Sequence, residues 1–388
     1  MSQLEIAVTG GGRIGHFYAA YLSSLPNVRV RFHSRKAAAI SAAMPAEGIT
    51  AVMTDGTHII GRPALVSADV GEVVAGADLV LVAQTANGRP DVLAAAAPHI
   101  ATDKPVAVGG VPGCACFDWL AEKSLGLRDN LAIFGFLDVP HVAGRAEPGV
   151  RVELGGIKAK AFLGFHDATS AALRMHTTAL LRKLLPMPVE ALGHFLEVTL
   201  TPLGYMHPTV LYALFGPYSQ WDGKPVRESR RWFTDLTELG GYFIKRCDEE
   251  QVLLTHAVQK ALGVTLPMAE PLYDNLVSAY GDQIEDKSTL YTVLRTCKAY
   301  RSFIPMVESP GGGLVFKKDH PILIEDVFFG MAFLVEMGRR FDVQMPIMNE
   351  IHDWSVRFLG GSQISAVDYM PADWPARALR RSLDENPA

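Results

Sequence analysis

Two residues in the second half of the chain are of types that handle a proton. His207 stands in Thr201-Pro-Leu-Gly-Tyr-Met-His-Pro-Thr-Val210, where Pro208 fixes the backbone just after it. Asp326 stands in the pair Glu325-Asp326, directly ahead of the apolar period Val327, Met331, Leu334. An imidazole titrates near neutrality and so both takes and gives a proton. A carboxylate that accepts one ring N–H fixes the tautomer and stabilises the imidazolium. The chain has 12 histidines, so residue type alone does not select His207; its position at a change of pattern along the chain does. The plainer readings are a packed or capping histidine, and an acid that only complements a helix dipole.

Gly10-Gly11-Gly12-Arg13-Ile14-Gly15 matches G-x-G-x-x-G. It follows the β-rich run Glu5-Ile-Ala-Val-Thr9 and opens a helical pattern from Arg13 to Leu25, the context in which the motif cradles a pyrophosphate. Gly10 allows the tight turn, Gly12 lets backbone approach the phosphates and Gly15 lets helix and strand pack closely. The helix N-terminus supplies free N–H groups, so Arg13 and Ile14 belong to the same site. The second strand, Val28 to His33, ends in Ser34-Arg35-Lys36 with no acid for a ribose 2′-hydroxyl. These three residues suit a 2′-phosphate, so NADP is preferred over NAD. Gln84, in Gln84-Thr85-Ala86-Asn87, follows a buried strand at its carboxyl end, on the nicotinamide side of such folds.

These residues must be held by two kinds of architecture. Strand patterns continue at Asp78–Ala83, Pro105–Val108, Leu131–Phe136, Val150–Leu154 and Ile157–Phe165, with a hairpin over Gly48–Val70 turning near Asp55-Gly56 and a small-residue helix over Asp91–Ile100. Alternating strands and helices imply a mostly parallel sheet covered on both faces. After about Thr201 strand signals become scarce and helical periods take over, at 252–262, 327–338 and 347–359. Gly311-Gly-Gly313 reads as a flexible connection between helices. The expected fold is α/β: a Rossmann-type dinucleotide-binding domain over 1–197, then an all-helical substrate and catalytic domain over 198–388. His207 then falls at the predicted junction, where a cofactor cleft usually forms.

The chain has 388 residues, 49% hydrophobic and 20% charged, enough for two well-filled cores. Its net charge of −5 gives no global reason to bind nucleic acid or an anionic membrane. Cys114, Cys116, Cys247 and Cys297 form no C-x-x-C pair and no zinc-ligand spacing, which suggests a reduced compartment and no metal. No stretch is apolar enough to span a bilayer, and a cytoplasmic protein is expected. The partners expected are small-molecule substrates, with a homodimer as the candidate assembly. Arg227-Glu-Ser-Arg-Arg231 reads as a solvated charged face, and Trp221, Trp232 and Tyr242 as core or cleft wall.

Together the motifs carry a family likeness. The chain resembles the opine dehydrogenases, the octopine/nopaline dehydrogenase family. The likeness rests on Gly10–Gly15, on His207-Pro208 with the following Leu211-Tyr212, and on Trp221-Asp-Gly-Lys-Pro225. It rests also on Glu325-Asp326-Val327 and Phe341-Asp-Val-Gln-Met-Pro346. It implies a helical second domain like the C-terminal domain of 6-phosphogluconate dehydrogenase. It implies an enzyme that joins the amino group of an amino acid to the carbonyl of an α-keto acid and reduces the imine with NAD(P)H. His207 would be the general acid/base and Asp326 its partner. Members carry an arginine shortly before the Glu-Asp pair; here Lys317-Lys318-Asp319-His320-Pro321 has none. Lys318 or His320 would then substitute, with Tyr212 and Asp138 as further substrate-side candidates. A 2-keto- or 2-hydroxy-acid reductase of similar architecture, and a non-catalytic NADP-binding sensor, are the alternatives.

Overall fold

Runs of Val, Ile, Leu and Phe without polar alternation are suited to strands covered on both faces. In the computed structural model, which describes residues 3–202, 204–376 and 378, such runs form the centre of an eight-stranded sheet. In chain order the first unit contains β1 (Leu4–Thr9), α1 (Arg13–Ser23), β2 (Val28–His33), α2 (Ala37–Ala43), β3 (Ile49–Val52), β4 (His58–Gly61) and β5 (Leu65–Ser67). It continues with α3 (Val70–Val74), β6 (Leu79–Val82), α4 (Arg89–Ala96), β7 (Val106–Gly110), α5 (Phe117–Leu125) and β8 (Leu131–Phe136). It ends with β9 (His141–Glu147), β10 (Arg151–Ile157), β11 (Ala161–Phe165), α6 (Ala171–Leu184), β12 (Val189–Ala191) and α7 (Leu196–Thr199). The large sheet runs β12-β11-β8-β7-β6-β1-β2-β5. Its part from β5 to β8 is all parallel. Read outward from β1, that part has the 3-2-1-4-5-6 order of the doubly wound dinucleotide fold. β11 then joins β8 antiparallel.

A second sheet, β4-β3-β10-β9, covers the other side of α1. That is why α1 is buried from Gly15 to Leu22 instead of on one stripe. The packing is close: a Cβ on Gly61 of β4 would lie 1.9 Å from the Ala20 carbonyl oxygen. His16 and Tyr21 of α1 are paired in this interior, as burial demands. His16 Nδ1 bonds the Gly12 carbonyl at 2.8 Å, and its Nε2 accepts the Gly149 N–H at 3.0 Å. Tyr21 donates to the Leu184 carbonyl at 3.1 Å. The hairpin anticipated around Asp55-Gly56 is β3–β4, but β5, within the same stretch, belongs to the large sheet. β9 gives no strand signal in sequence because Arg145, Glu147 and two other of its residues face solvent and carry no apolar alternation.

The chain divides into two units, 1–199 and 200–388. The second contains α8 (Met206–Phe215), α9 (Glu238–Leu262), α10 (Leu272–Tyr280), α11 (Leu290–Thr296), β13 (Met306–Glu308), β14 (Leu314–Phe316), α12 (Pro321–Ile324), a π-helical segment Glu325–Met331, α13 (Ala332–Arg340) and α14 (Pro346–Phe358). Residues 379–388, assigned from sequence to this half, lie outside the described residues. One sequence expectation needs correcting. Gly311-Gly-Gly313 does not link two helices: it is the turn of the antiparallel β13–β14 hairpin. Positive φ at Gly312 (84°) and Gly313 (77°) suits the tight reversal, and the helical unit is therefore not purely helical.

α9 organises this unit with a buried polar row. Asp248 accepts the Tyr205 hydroxyl at 3.0 Å and the Leu272 N–H at 2.8 Å. Glu250 accepts the N–H groups of Ile347 and Met348 at 2.9 and 2.8 Å, capping the start of α14. Gln251 Nε2 donates to the Leu200 carbonyl at 2.5 Å. A buried carboxylate is tolerable only when its oxygens are used in this way.

Candidate active site

His207 is the second residue of α8. The segment before it is pinned from two sides. Tyr205, fully buried, is anchored by Asp248. Gly204 meets Gly330 backbone to backbone, and a Cβ built on either would lie 2.7 Å from the other's Cα. Only a pair of glycines allows that approach, and it brings the start of α8 against the π-helical segment that carries Asp326.

The outcome is a hydrogen bond. His207 Nδ1 and Asp326 Oδ2 lie 2.7 Å apart, a distance typical of a charge-assisted pair. With the carboxylate accepting, Nδ1 carries the proton and Nε2 is the nitrogen left for chemistry. Nε2 has no hydrogen-bond partner among the described residues. The ring stands edge-on to Trp232 at 4.6 Å between centroids and tilted against Phe233 at 5.4 Å, so it cannot swing away from the acid. The side chains remain 21% and 14% exposed, within reach of a ligand. Burial pushes the Asp326 carboxyl up to about 6, against the opposing pull of His207. π-Helical turns are rare and recur at functional sites; nothing in the composition of Glu325–Met331 announces one.

The glycine loop of the first unit joins β1 to α1. Gly10 has φ of 109°, and a Cβ there would lie 2.8 Å from the Ala83 carbonyl carbon. A Cβ on Gly15 would lie 1.7 Å from the Gly10 oxygen, so helix and strand are in backbone contact. At Gly12 a Cβ would meet no protein atom within 4 Å. Gly12 is exposed at the start of α1 and has no side-chain cap on the helix N–H groups. Two glycines are thus required by the fold, and the third keeps open the space where phosphates bind a helix N-terminus. Ile14 is half-buried, and Arg13 donates to the Gly144 carbonyl of β9 at 2.6 Å.

After β2 the three candidates for a 2′-phosphate separate. Ser34 is buried, its Oγ lies where a Gly11 side chain would be, and it accepts the Lys36 N–H at 3.1 Å. Arg35 and Lys36 are exposed. Gln84 follows β6, where its Oε1 accepts from the Thr9 hydroxyl at 2.9 Å. Sequence reasoning missed its neighbour Arg89, which is fully buried and paired with no carboxylate among the described residues. Arg89 donates to the carbonyls of Gln84, Cys114 and Pro112 at 3.2, 2.6 and 3.0 Å, tying together the loops that leave β6 and β7. The hint in the sequence was an arginine at the head of a helix made mostly of small residues.

The substrate-side candidates are each held locally. Asp138 pairs with Lys158 at 3.2 Å. Tyr212 is buried and its hydroxyl donates to Glu350. Lys318 Nζ sits 4.8 Å above the Phe358 ring. His320 caps α12, accepting the Ile322 N–H at 3.4 Å.

Three comparisons bear on this geometry. A family model described as NAD/NADP octopine/nopaline dehydrogenase, alpha-helical domain, matches residues 191–359. One described as ketopantoate reductase PanE/ApbA matches residues 6–108. The chain is 38% identical over 379 residues to the uncharacterized protein y4xO of Sinorhizobium fredii (strain NBRC 101917 / NGR234), covering 97% of this chain and 100% of that protein. It is 26% identical to tauropine dehydrogenase of Arabella iricolor, covering 98% of each. Its fold matches the structure of octopine dehydrogenase with NADH and L-arginine at a TM-score of 0.80 and 24% identity, covering 92% of this chain and 90% of that one. No helix among the described residues is long and apolar enough to cross a membrane.

Proposed function

Because the chain belongs to the octopine/nopaline dehydrogenase family, oxidoreductases that use NAD or NADP, we propose that it condenses an α-keto acid with the amino group of an amino acid and reduces the product to a secondary-amine dicarboxylate. The overall change consumes one keto acid, one amine, one NAD(P)H and one proton, and releases NAD(P)+ and water. The observation that carries this reading is the His207–Asp326 hydrogen bond with Nε2 left unpartnered.

His207 has two tasks that need a single movable proton. As the acid, Nε2–H protonates the carbonyl oxygen while the amine adds, and then assists its departure as water. As the base, Nε2 takes a proton from the attacking ammonium. Asp326 keeps the ring in the tautomer that aims Nε2 outward and balances the charge on the imidazolium. Bound NAD(P)H supplies the hydride that reduces the resulting imine carbon. Trp232 and Phe233 fix the ring plane and keep water from one side of it. NADP is the preferred cofactor in this reading, through Arg35 and Lys36, while buried Ser34 shapes the turn.

The match of residues 6–108 to the ketopantoate reductase family supports a second reading, direct reduction of a 2-keto acid. One experiment separates the two: NADPH oxidation measured over a matrix of keto acids against amino acids, with each partner alone as control. Turnover that requires both partners is the expected result. Equal turnover with the keto acid alone would replace the first reading with the second.

A further inference from the structure

The helical unit holds a cavity of about 1080 Å³, large even among small-molecule sites. Most of its wall is the irregular stretch between α8 and α9, with Ile304 and Met306 behind it. The stretch is anchored at two points. Val226 exchanges backbone hydrogen bonds with Leu314 of β14, at 2.9 and 2.7 Å. Farther on, Ile304 N–H donates to the Arg230 carbonyl at 2.8 Å, and Trp232 N–H to the Ser302 carbonyl at 3.1 Å. Between these anchors the chain bends at Arg227-Glu228, and the cavity receives Arg227, Glu228 and Arg230.

The charges of this wall divide into used and unused. Lys224 pairs with Asp222 at 3.2 Å. Asp235 accepts the Arg231 N–H at 2.7 Å. Arg231 is not part of the lining; its guanidinium lies over Phe303 at 4.9 Å. Arg227, Glu228 and Arg230 have no ion pair or side-chain hydrogen bond with any described residue. Two guanidinium groups and one carboxylate, all on exposed residues, thus line one cavity without partners among the described residues. Arg230 stands two residues before Trp232, the residue whose ring lies 4.6 Å from that of His207.

We propose that this cavity is the substrate's ionic subsite, taking a ligand with two carboxylates and one ammonium. Arg227 and Arg230 bind the carboxylates and Glu228 faces the ammonium. The proposal rests on the opine reading, whose product carries that set of charges, and it deepens that reading by naming the residues that select for it. It also supplies the carboxylate contact for which the stretch before Glu325 has no arginine. The guanidinium fork suits a carboxylate better than Lys318 would.

The test is calorimetric and needs no turnover. The probes are iminodiacetate, which has two carboxylates and an ammonium, and N-methylglycine, which has one carboxylate. Wild-type protein should bind iminodiacetate at least tenfold more tightly, the ratio expected from one charge-assisted hydrogen bond. Arg227→Gln and Arg230→Gln should each erase that margin, Arg230→Lys should restore part of it, and Arg231→Gln should leave it intact. Glu228→Gln should weaken iminodiacetate but not glutarate, which lacks the amine. Unchanged melting temperatures exclude misfolding of the glutamine variants, and Arg230→Lys serves if either melts early. Equal binding of both probes by the wild type, or an Arg231→Gln defect as large as the other two, would overturn the assignment. If no substrate pair is turned over yet the margin for iminodiacetate holds, the subsite stands and the proposed reaction falls.

Discussion

His207 and Asp326 are separated by 119 positions in the chain, and their side chains meet at 2.7 Å. The acid is held there by backbone contact between Gly204 and Gly330, and the ring by Trp232 and Phe233. Removing the imidazole takes away the movable proton but leaves the phosphate loop untouched. His207→Ala should lose about 10²–10⁴ in kcat, the usual contribution of a positioned acid or base, with the dissociation constant of NADPH unchanged by fluorescence titration. A variant with full turnover would remove His207 from the mechanism.

The raised Asp326 carboxyl predicts a pH limb. Burial disfavours its ionised form, so it titrates at about 6 and not in the usual carboxylate range. Above that pH it is ionised and accepts the Nδ1 proton; below it the carboxyl is protonated and that support is lost. kcat/KM should therefore fall as pH drops through about 6. Asp326→Asn should lower kcat at pH 8 and flatten the acidic limb. A limb that survives in this variant would belong to another group.

Gly12 and Gly15 should fail in different ways. Gly15→Val places atoms on the Gly10 carbonyl, 1.7 Å from the new Cβ. It should destabilise the protein by several kcal/mol, as backbone overpacking does. Gly12→Val meets no protein atom within 4 Å. It should keep the wild-type melting temperature in the absence of cofactor while weakening NADPH by tenfold or more. A cofactor affinity unchanged in Gly12→Val would place the pyrophosphate elsewhere.

Arg35 tests the cofactor preference. Exposed after β2, it is free to engage a 2′-phosphate with charge-assisted hydrogen bonds of about 1.5–3 kcal/mol. Arg35→Ala should raise the KM for NADPH ten- to a hundred-fold and leave that for NADH within twofold. Equal effects on both would cancel the NADP preference.

Gly330 tests whether backbone contact positions the pair. Gly330→Ala inserts a methyl group 2.7 Å from the Gly204 Cα, and backbone on both sides must move. It should cost about 1–3 kcal/mol of stability. It should also lower kcat more than it raises the KM for either substrate, because the base is displaced and not the binding wall. Wild-type kcat with reduced stability would leave the contact a purely structural role.

The α/β half and the glycine loop are legible in the amino-acid order because both depend on neighbours. A strand buried on both faces must be apolar throughout, and a turn with φ of 109° at Gly10, packed against Ala83, must be glycine. Pattern likewise singled out His207 and Asp326 as candidates. Other features are set by residues far apart. β9 is a strand because β10 and α1 lie beside it, not because of its own alternation. Arg227 and Arg230 are exposed, as a charged run should be, and it is two backbone anchors that place them on the wall of a cavity. Arg89, buried among three carbonyls, and the Gly204–Gly330 approach leave no periodic trace, because each satisfies a partner from another element. The order of residues determined which local structures form and which groups are able to carry a proton or a phosphate. Only packing decided which of them meet, because hydrogen bonds and close approaches act over a few ångströms of space and are blind to distance along the chain.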